Sequence, residues 1–277
     1  MRIRTKKRIQ RTILYTILGI YAIITLYPFL WAFFASFKEY AEIVGGGLHI
    51  IPRNPTIDNF VHILTRDANF PRWVFNSLYI GFVTTILNII FNSMAGYALA
   101  RLSFPGRKPL FMLVLAVIMV PGQILLIPNF LIMRDLNILN THWSLILPAA
   151  INFTYIFMMR QFFLNFPKDI EEAAAIDGLS RIQIFFRIVF PMARAAIATQ
   201  GIFIFLAQWN EFLRPLLYLA DPSLFTLTLG LQTFQDRYAT QWNLIMAGSV
   251  ISLIPILLLY IALNKYFMQG FRVGGDK

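Results

Sequence analysis

Six stretches of the chain carry no Asp, Glu, Lys or Arg: 12–37, 73–100, 109–133, 136–159, 195–210 and 238–264. Five of them reach or pass the length of about 20 residues that a membrane-spanning helix needs. The exception, 195–210, rises only about 24 Å at about 1.5 Å per residue, which puts Glu211 and Arg214 at the membrane boundary or pairs them just inside it. The pattern predicts an all-α membrane protein with six transmembrane helices. Composition agrees: 58% of the 277 residues are hydrophobic and 13% charged, against about 45–50% apolar in a typical soluble chain. The bilayer, not water, is the expected solvent.

Charge sets the orientation. With the N-terminus in the cytoplasm, 17 of the 24 Lys and Arg fall on inner segments, the bias expected of a cytoplasmic-membrane protein with both termini inside. The net charge of +11 therefore reads as topology-setting charge beside membrane lipid, with no nucleic acid as partner. Arg2, Arg4, Lys6, Lys7, Arg8 and Arg11 resemble the basic end of a signal peptide. The apolar run after them exceeds the usual length of about 7–15 residues and lacks a small-x-small cleavage site, so it reads as a retained anchor. The expected organisation is a basic segment at 1–11, a six-span domain at 12–267 and a cytoplasmic tail at 268–277.

Three connections are long enough to have their own structure. The outer loop 38–72, with Gly45, Gly46, Gly47, Pro52, Pro55 and Pro71, reads as an irregular cap. The outer loop 220–237 opens on the turn signal Asp221-Pro222. The inner loop 164–191 differs in kind. After Pro167, Asp169 and Glu172 have capping-box spacing, which predicts a helix from Ile170 that stops at Gly178 as its left-handed C′ residue. Ser180 and Gln183 repeat the box and predict a second helix from Arg181 to the neighbourhood of Pro191. On the first helix Ala173, Ala174 and Asp177 share a face where another protein's surface could approach closely, and Glu171 and Glu172 lie near its positive end. The same residues also suit a solvated amphipathic linker.

Several chemistries are excluded. There are no cysteines, and His49, His62 and His142 lack two-ligand spacing, so no metal site is predicted. No acid, base and nucleophile set converges as an enzyme would need. The phosphate-binding GxxxxGK[ST] loop is absent, as is the intramembrane array of carboxylates that a proton-driven carrier would show. The polar residues inside the apolar blocks are chiefly amides: Asn76 beside Ser77, Asn88 one turn before Asn92, Gln123, Asn152, and Gln208 and Asn210 flanking Trp209. Such groups suit the hydroxyls of a translocated sugar. They equally suit bonds between helices, for which Gly96 and Ala100 offer a small-x-x-x-small packing face.

The string Glu172-Ala173-Ala174, three residues, Gly178, nine residues, Ile188-Val189-Phe190-Pro191 resembles the EAA loop of the membrane subunits of ABC importers, with Phe190 where Leu is usual. Met119-Val120-Pro121-Gly122-Gln123, Leu139-Asn140-Thr141-His142-Trp143, Arg160-Gln161-Phe162-Phe163 and Trp209-Asn210-Glu211-Phe212 resemble the carbohydrate-uptake branch, on the maltose-permease second-subunit pattern. The similarity runs from the first span to Gly270 and is closest to permeases for raffinose and multiple sugars in Gram-positive bacteria. Ala195 stands where many relatives have proline.

This resemblance implies a type I ABC importer transmembrane domain working by alternating access. Its cytoplasmic EAA coupling helix, with Glu171, Glu172, Ala173, Ala174, Asp177 and Gly178, would dock on an ATPase. The implied partners are a homologous second permease subunit, two copies of that ATPase carrying ATP and Mg, and an extracytoplasmic solute-binding protein. No cofactor is expected on this chain. The candidate pathway residues are Asn76, Asn88, Asn92, Gln123, Asn152, Gln208, Trp209 and Asn210. A secondary sugar carrier or channel not coupled to ATP is the alternative.

Overall fold

The structure, a computed structural model, describes residues 2–46, 49–235 and 240–272. The chain divides into two compact units, Met1–Pro71 with Leu231–Ile254 and Arg72–Gly230 with Pro255–Lys277.

In the first unit α1 (Arg2–Ala35) is long and apolar enough to cross a bilayer, and none of its apolar window is buried. The predicted irregular loop 38–72 is instead partly helical, holding α2 (Tyr40–Val44) and α3 (Asp58–Val61), which continues into a π turn at His62–Arg66. Asn59 organises it. Its Nδ2 donates to the carbonyls of Ser36 and Lys38 at 2.8 Å each, and its Oδ1 accepts from Asn243 at 2.7 Å. Glycine and proline punctuation marks where a loop turns, but a buried amide that closes it leaves no spacing signal.

The second unit is organised by α4 (Phe70–Arg101), which begins in the first and contributes residues to three separate apolar clusters. There follow α5 (Arg107–Ile118), α6 (Leu126–Asp135), α7 (Trp143–Ala149), α8 (Phe153–Leu164), α9 (Lys168–Ile176), α10 (Arg181–Ile184), α11 (Phe190–Met192), α12 (Arg194–Trp209), α13 (Leu213–Tyr218) and α14 (Leu227–Gln232). The last helix, α15 (Trp242–Arg272), starts in the first unit and ends in the second. Residues 236–239 and 273–277 lie outside the described residues, and with them the end of the predicted loop 220–237, the first residues of the predicted last span and half of the predicted tail.

Spans are single helices in three places, α1, α4 and α15, and bent pairs in three others. The hydrophobic pattern predicts continuous third and fourth spans, and the structure breaks both. Gly122–Asp135 turns 95° from α5, and α8 turns 40° from α7. Proline supplies the first break. Pro121 has no N–H to donate and disfavours helix at Val120, so the chain passes through extended backbone at Pro121 (φ −60°, ψ 128°) into a single 3-10 turn, Gly122–Leu125. In the second break Pro148 lies in the last turn of α7. Asn152 (φ −134°, ψ 116°) then restarts the helix, its side chain accepting from the Thr154 N–H at 3.0 Å.

At Gly96 two helix backbones approach closely. A Cβ there would lie 2.7 Å from the Met159 Cβ and 2.9 Å from the Arg160 backbone nitrogen, so α4 and α8 meet almost backbone to backbone. This is the small-residue packing face that Gly96 and Ala100 predict.

Candidate functional site

Two features of the second unit gather the predicted residues: a helical elbow between α8 and α12, and a cleft where three helix breaks converge.

The elbow begins two residues earlier than predicted. Pro167 (φ −60°, ψ 126°) is the N-cap of α9 without a side-chain capping bond, and Lys168 is already helical. The Asp169–Glu172 capping box is therefore not formed. Asp169 falls within the first turn, where a carboxylate still meets the positive end of the dipole. The other terminus follows the sequence closely. Gly178 has φ +85°, the Leu179 N–H donates to the Ala174 carbonyl and the Gly178 N–H to the Ala175 carbonyl. Those two bonds make a Schellman motif. Ser180 and Gln183 then form the predicted capping box. Beyond α10 the helix widens into a π turn, Phe185–Val189. Pro191 cannot donate to the carbonyl one turn back and its ring crowds that carbonyl, and the wider turn accommodates it. A 78° bend separates Arg181–Met192 from α12, formed with Ala195, not proline, in its first turn.

The two faces of α9 are sharply different. Glu171 and Ala174 face inward, so Ala174 does not share the outward surface of Ala173 and Asp177 as the spacing predicts. Ala174 packs in the chain's own core with Tyr97, Phe163, Ile184 and Phe185. The Glu171 carboxylate is 6% exposed at the residue level. Its Oε2 accepts from the Tyr97 hydroxyl at 2.8 Å, and its Oε1 lies 3.0 Å from Arg101 Nε, a charge contact without hydrogen-bond alignment. The Arg101 guanidinium also donates to the Phe166 carbonyl at the start of the elbow. The elbow is thus bolted to the end of α4 by a buried ion pair, a phenol and a backbone carbonyl. Outward, Glu172, Ala173, Asp177 and Gly178 are exposed, together with Ile176 at 87% and Ile182 at 71%. Both isoleucines are bare on a structured elbow.

The cleft, about 480 Å³, lies where the breaks at 119–125, 150–152 and 210–212 come together. Irregular backbone at membrane depth is tolerated where it lines a cavity. Asn88, Gln123, Asn152 and Gln208 line it. The other predicted pathway residues do structural work. Asn76 donates to the carbonyls of Ser223 and Phe225 at 3.0 Å each. Asn92 donates to Asn88 Oδ1 at 3.0 Å and accepts from the Asn152 N–H at 3.1 Å, while Asn88 Nδ2 reaches the Ala149 carbonyl at 2.6 Å. This ladder pins the second break to α4. Trp209 is buried, stacked on Phe205 at 5.6 Å, and Asn210 donates to the Leu206 carbonyl of its own helix.

Sequence reasoning missed Asn129 and Tyr155 in the cleft wall, and it placed Glu211 and Arg214 only as a boundary pair. That pair is formed: Glu211 Oε2 sits 2.8 Å from an Arg214 terminal nitrogen and 3.0 Å from its Nε, and Oε1 caps α13 by accepting from the Leu213 N–H. The signal available was the i,i+3 spacing of opposite charges after a short apolar block.

Residues 92–273 match the family described as binding-protein-dependent transport system inner membrane component. The arabinooligosaccharides transport system permease protein AraQ of Halalkalibacterium halodurans is 39% identical, over 92% of this chain and 92% of its own length. The sulfoquinovosyl glycerol transport system permease protein SmoH of Agrobacterium fabrum is 35% identical, over 91% and 89%. The solved structure of a bacterial ABC transporter involved in the import of the acidic polysaccharide alginate superimposes with a TM-score of 0.86 at 24% identity, covering 95% of this chain and 98% of that one. That likeness fixes the fold.

Proposed function

The chain belongs to the family of binding-protein-dependent transport system inner membrane components, and on that premise we propose that it is the permease subunit through which an ATP-driven importer moves an uncharged oligosaccharide across the cytoplasmic membrane. The observation that carries this reading is the elbow. Its inner face is fixed to α4 by the Glu171–Arg101 pair and its outer face offers Glu172, Ala173, Ile176 and Asp177 to another protein. A stiff helical pair transmits rigid-body rotation, so an ATPase seated on that face turns α4 as it closes. ATP and its magnesium belong to the two copies of that partner. A homologous second permease and an extracytoplasmic solute-binding protein complete the assembly, with both termini of this chain inside.

The cleft supports the solute class. Its wall holds amides, a phenol and a charged pair already satisfied internally, which match hydroxyls better than carboxylates or phosphates. The relative AraQ is named for arabinooligosaccharides, and both raffinose-type sugars and acidic sugars belong in the panel to be tested.

The absence of native cysteine makes the test direct. A single cysteine at Glu172 or Ile176 should crosslink to the co-purified ATPase, and sugar-loaded binding protein should stimulate hydrolysis and uptake in proteoliposomes. Gly178 has open space around a would-be Cβ but a left-handed backbone. Gly178→Val should therefore uncouple hydrolysis from uptake, while Gly178→Asn, which tolerates that region, should retain coupling. Uptake that proceeds without ATPase or nucleotide would replace this reading with the uncoupled carrier.

A further inference from the structure

A pocket of about 680 Å³ opens at the Arg101 end of the second unit, between the turn 102–106, the start of α5 and the last turns of α8. Its lining combines three cations, Arg107, Lys108 and Arg160, with the apolar side chains of Leu99, Phe104, Phe111 and Met112. None of the three cations has a carboxylate within ion-pair distance among the described residues, although Arg101, Arg134 and Arg214 each have one. Arg160 is held in place without being neutralised. Its guanidinium carbon lies 3.7 Å from the centroid of the Phe111 ring, which itself stacks on Phe157, and its Nε donates to the Leu99 carbonyl at 3.4 Å. Arg107 likewise donates to the Leu102 carbonyl. No acidic side chain lies in the first turn of α5. The pocket therefore concentrates uncompensated positive charge beside carbon; Met112 on its wall and the adjacent Leu113 are 67% and 56% exposed, on a helix that together with Gly122–Asp135 is long and apolar enough to cross a membrane.

The geometry points to a binding site for an anionic phospholipid, its phosphodiester held by Arg107, Lys108 and Arg160 and its acyl chains lying along Phe111, Met112 and Leu113. Guanidinium forks suit phosphate oxygens, and clustered basic residues at the membrane boundary attract anionic headgroups over zwitterionic ones. A free phosphate shares the headgroup chemistry but has no use for the apolar wall. The site is separate from the cleft and does not depend on which solute the chain moves.

The full chain, purified in a neutral detergent, is titrated with phosphatidylglycerol, with phosphatidylcholine of the same acyl chains, and with inorganic phosphate, binding being read by native mass spectrometry. Phosphatidylglycerol should bind about tenfold or more tightly than phosphatidylcholine, and each cation removed in Lys108→Gln and Arg160→Gln should weaken it about fivefold. The exposed control Arg134→Gln should not. Met112→Trp should weaken the lipid and leave phosphate unaffected. Equal binding of the two lipids, full retention in Lys108→Gln, or phosphate displacing the lipid at equal concentration would overturn the assignment. Lys108 is exposed on the surface, so that variant reports on binding even should Arg160→Gln unfold.

Discussion

The elbow and the cleft use one helix, α4, in opposite ways. At the elbow α4 presents full charge: Arg101 meets a buried carboxylate, and the inward face of α9 is fixed while its outward face stays exposed. At the cleft α4 presents neutral amides. Asn88 and Asn92 hold broken backbone in position, and the nearby charges of Glu211 and Arg214 cancel one another. A joint that must not slip is built from strong complementary side chains. The cleft, proposed as the passage for a neutral solute, is built from interrupted helices whose ends are tied by amide hydrogen bonds, with modest polar groups lining the void.

That contrast can be broken experimentally, most forcefully at the elbow. Glu171→Gln strands a buried guanidinium and should cost about 3–5 kcal/mol of stability, read as a lowered unfolding midpoint in detergent. Glu172→Gln, on the exposed face, should stay within about 0.5 kcal/mol. The double replacement Glu171→Leu with Arg101→Met should recover most of the loss, since removing both charges removes the desolvation penalty as well. Equal effects at Glu171 and Glu172 would dissolve the distinction between the two faces.

Next in size is Gly96→Ala, which drives a methyl into the backbone of α8 and should cost about 1–3 kcal/mol, measured in the same melts. Within the cleft, Asn88→Leu should cost about 0.6–1.7 kcal/mol, the range of interhelical bonds in a membrane. Gln123→Leu should leave the melting midpoint almost unchanged while raising the KM of uptake. The smallest effect belongs to His142, whose pKa is lowered by burial, partly offset by its contact with the Leu224 carbonyl. Its folded-state pKa lies below the unfolded value of about 6.5. Its contribution is therefore complete above that value and is lost as the pH falls through the folded pKa. Between pH 7 and 5 the melting midpoint of the native chain should drop slightly more than that of His142→Asn.

How much of this was legible depends on the kind of signal. Uncharged runs mark spans because length and hydropathy are local sums, and Gly178 and Ser180 mark the elbow because caps are local chemistry. The inward turn of Glu171 is not local. Its partners are Tyr97 and Arg101, 74 and 70 residues earlier, and two adjacent glutamates give no clue to which is buried. Helix breaks inside uncharged runs are likewise hidden from a hydropathy sum, although Pro121 and Pro148 stood in the sequence as their cause. The amides were found but not sorted, since the same side chain serves a wall or a passage according to what lies across from it.

The 32 residues of α4 make a rod about 48 Å long, gripped at one extremity by the Glu171 knot. A tilt of about 5° at that grip sweeps the far extremity through about 4 Å, by the same rise per residue. On the proposed reading, leverage of this kind would carry a slight rocking at the elbow along the whole length of the helix.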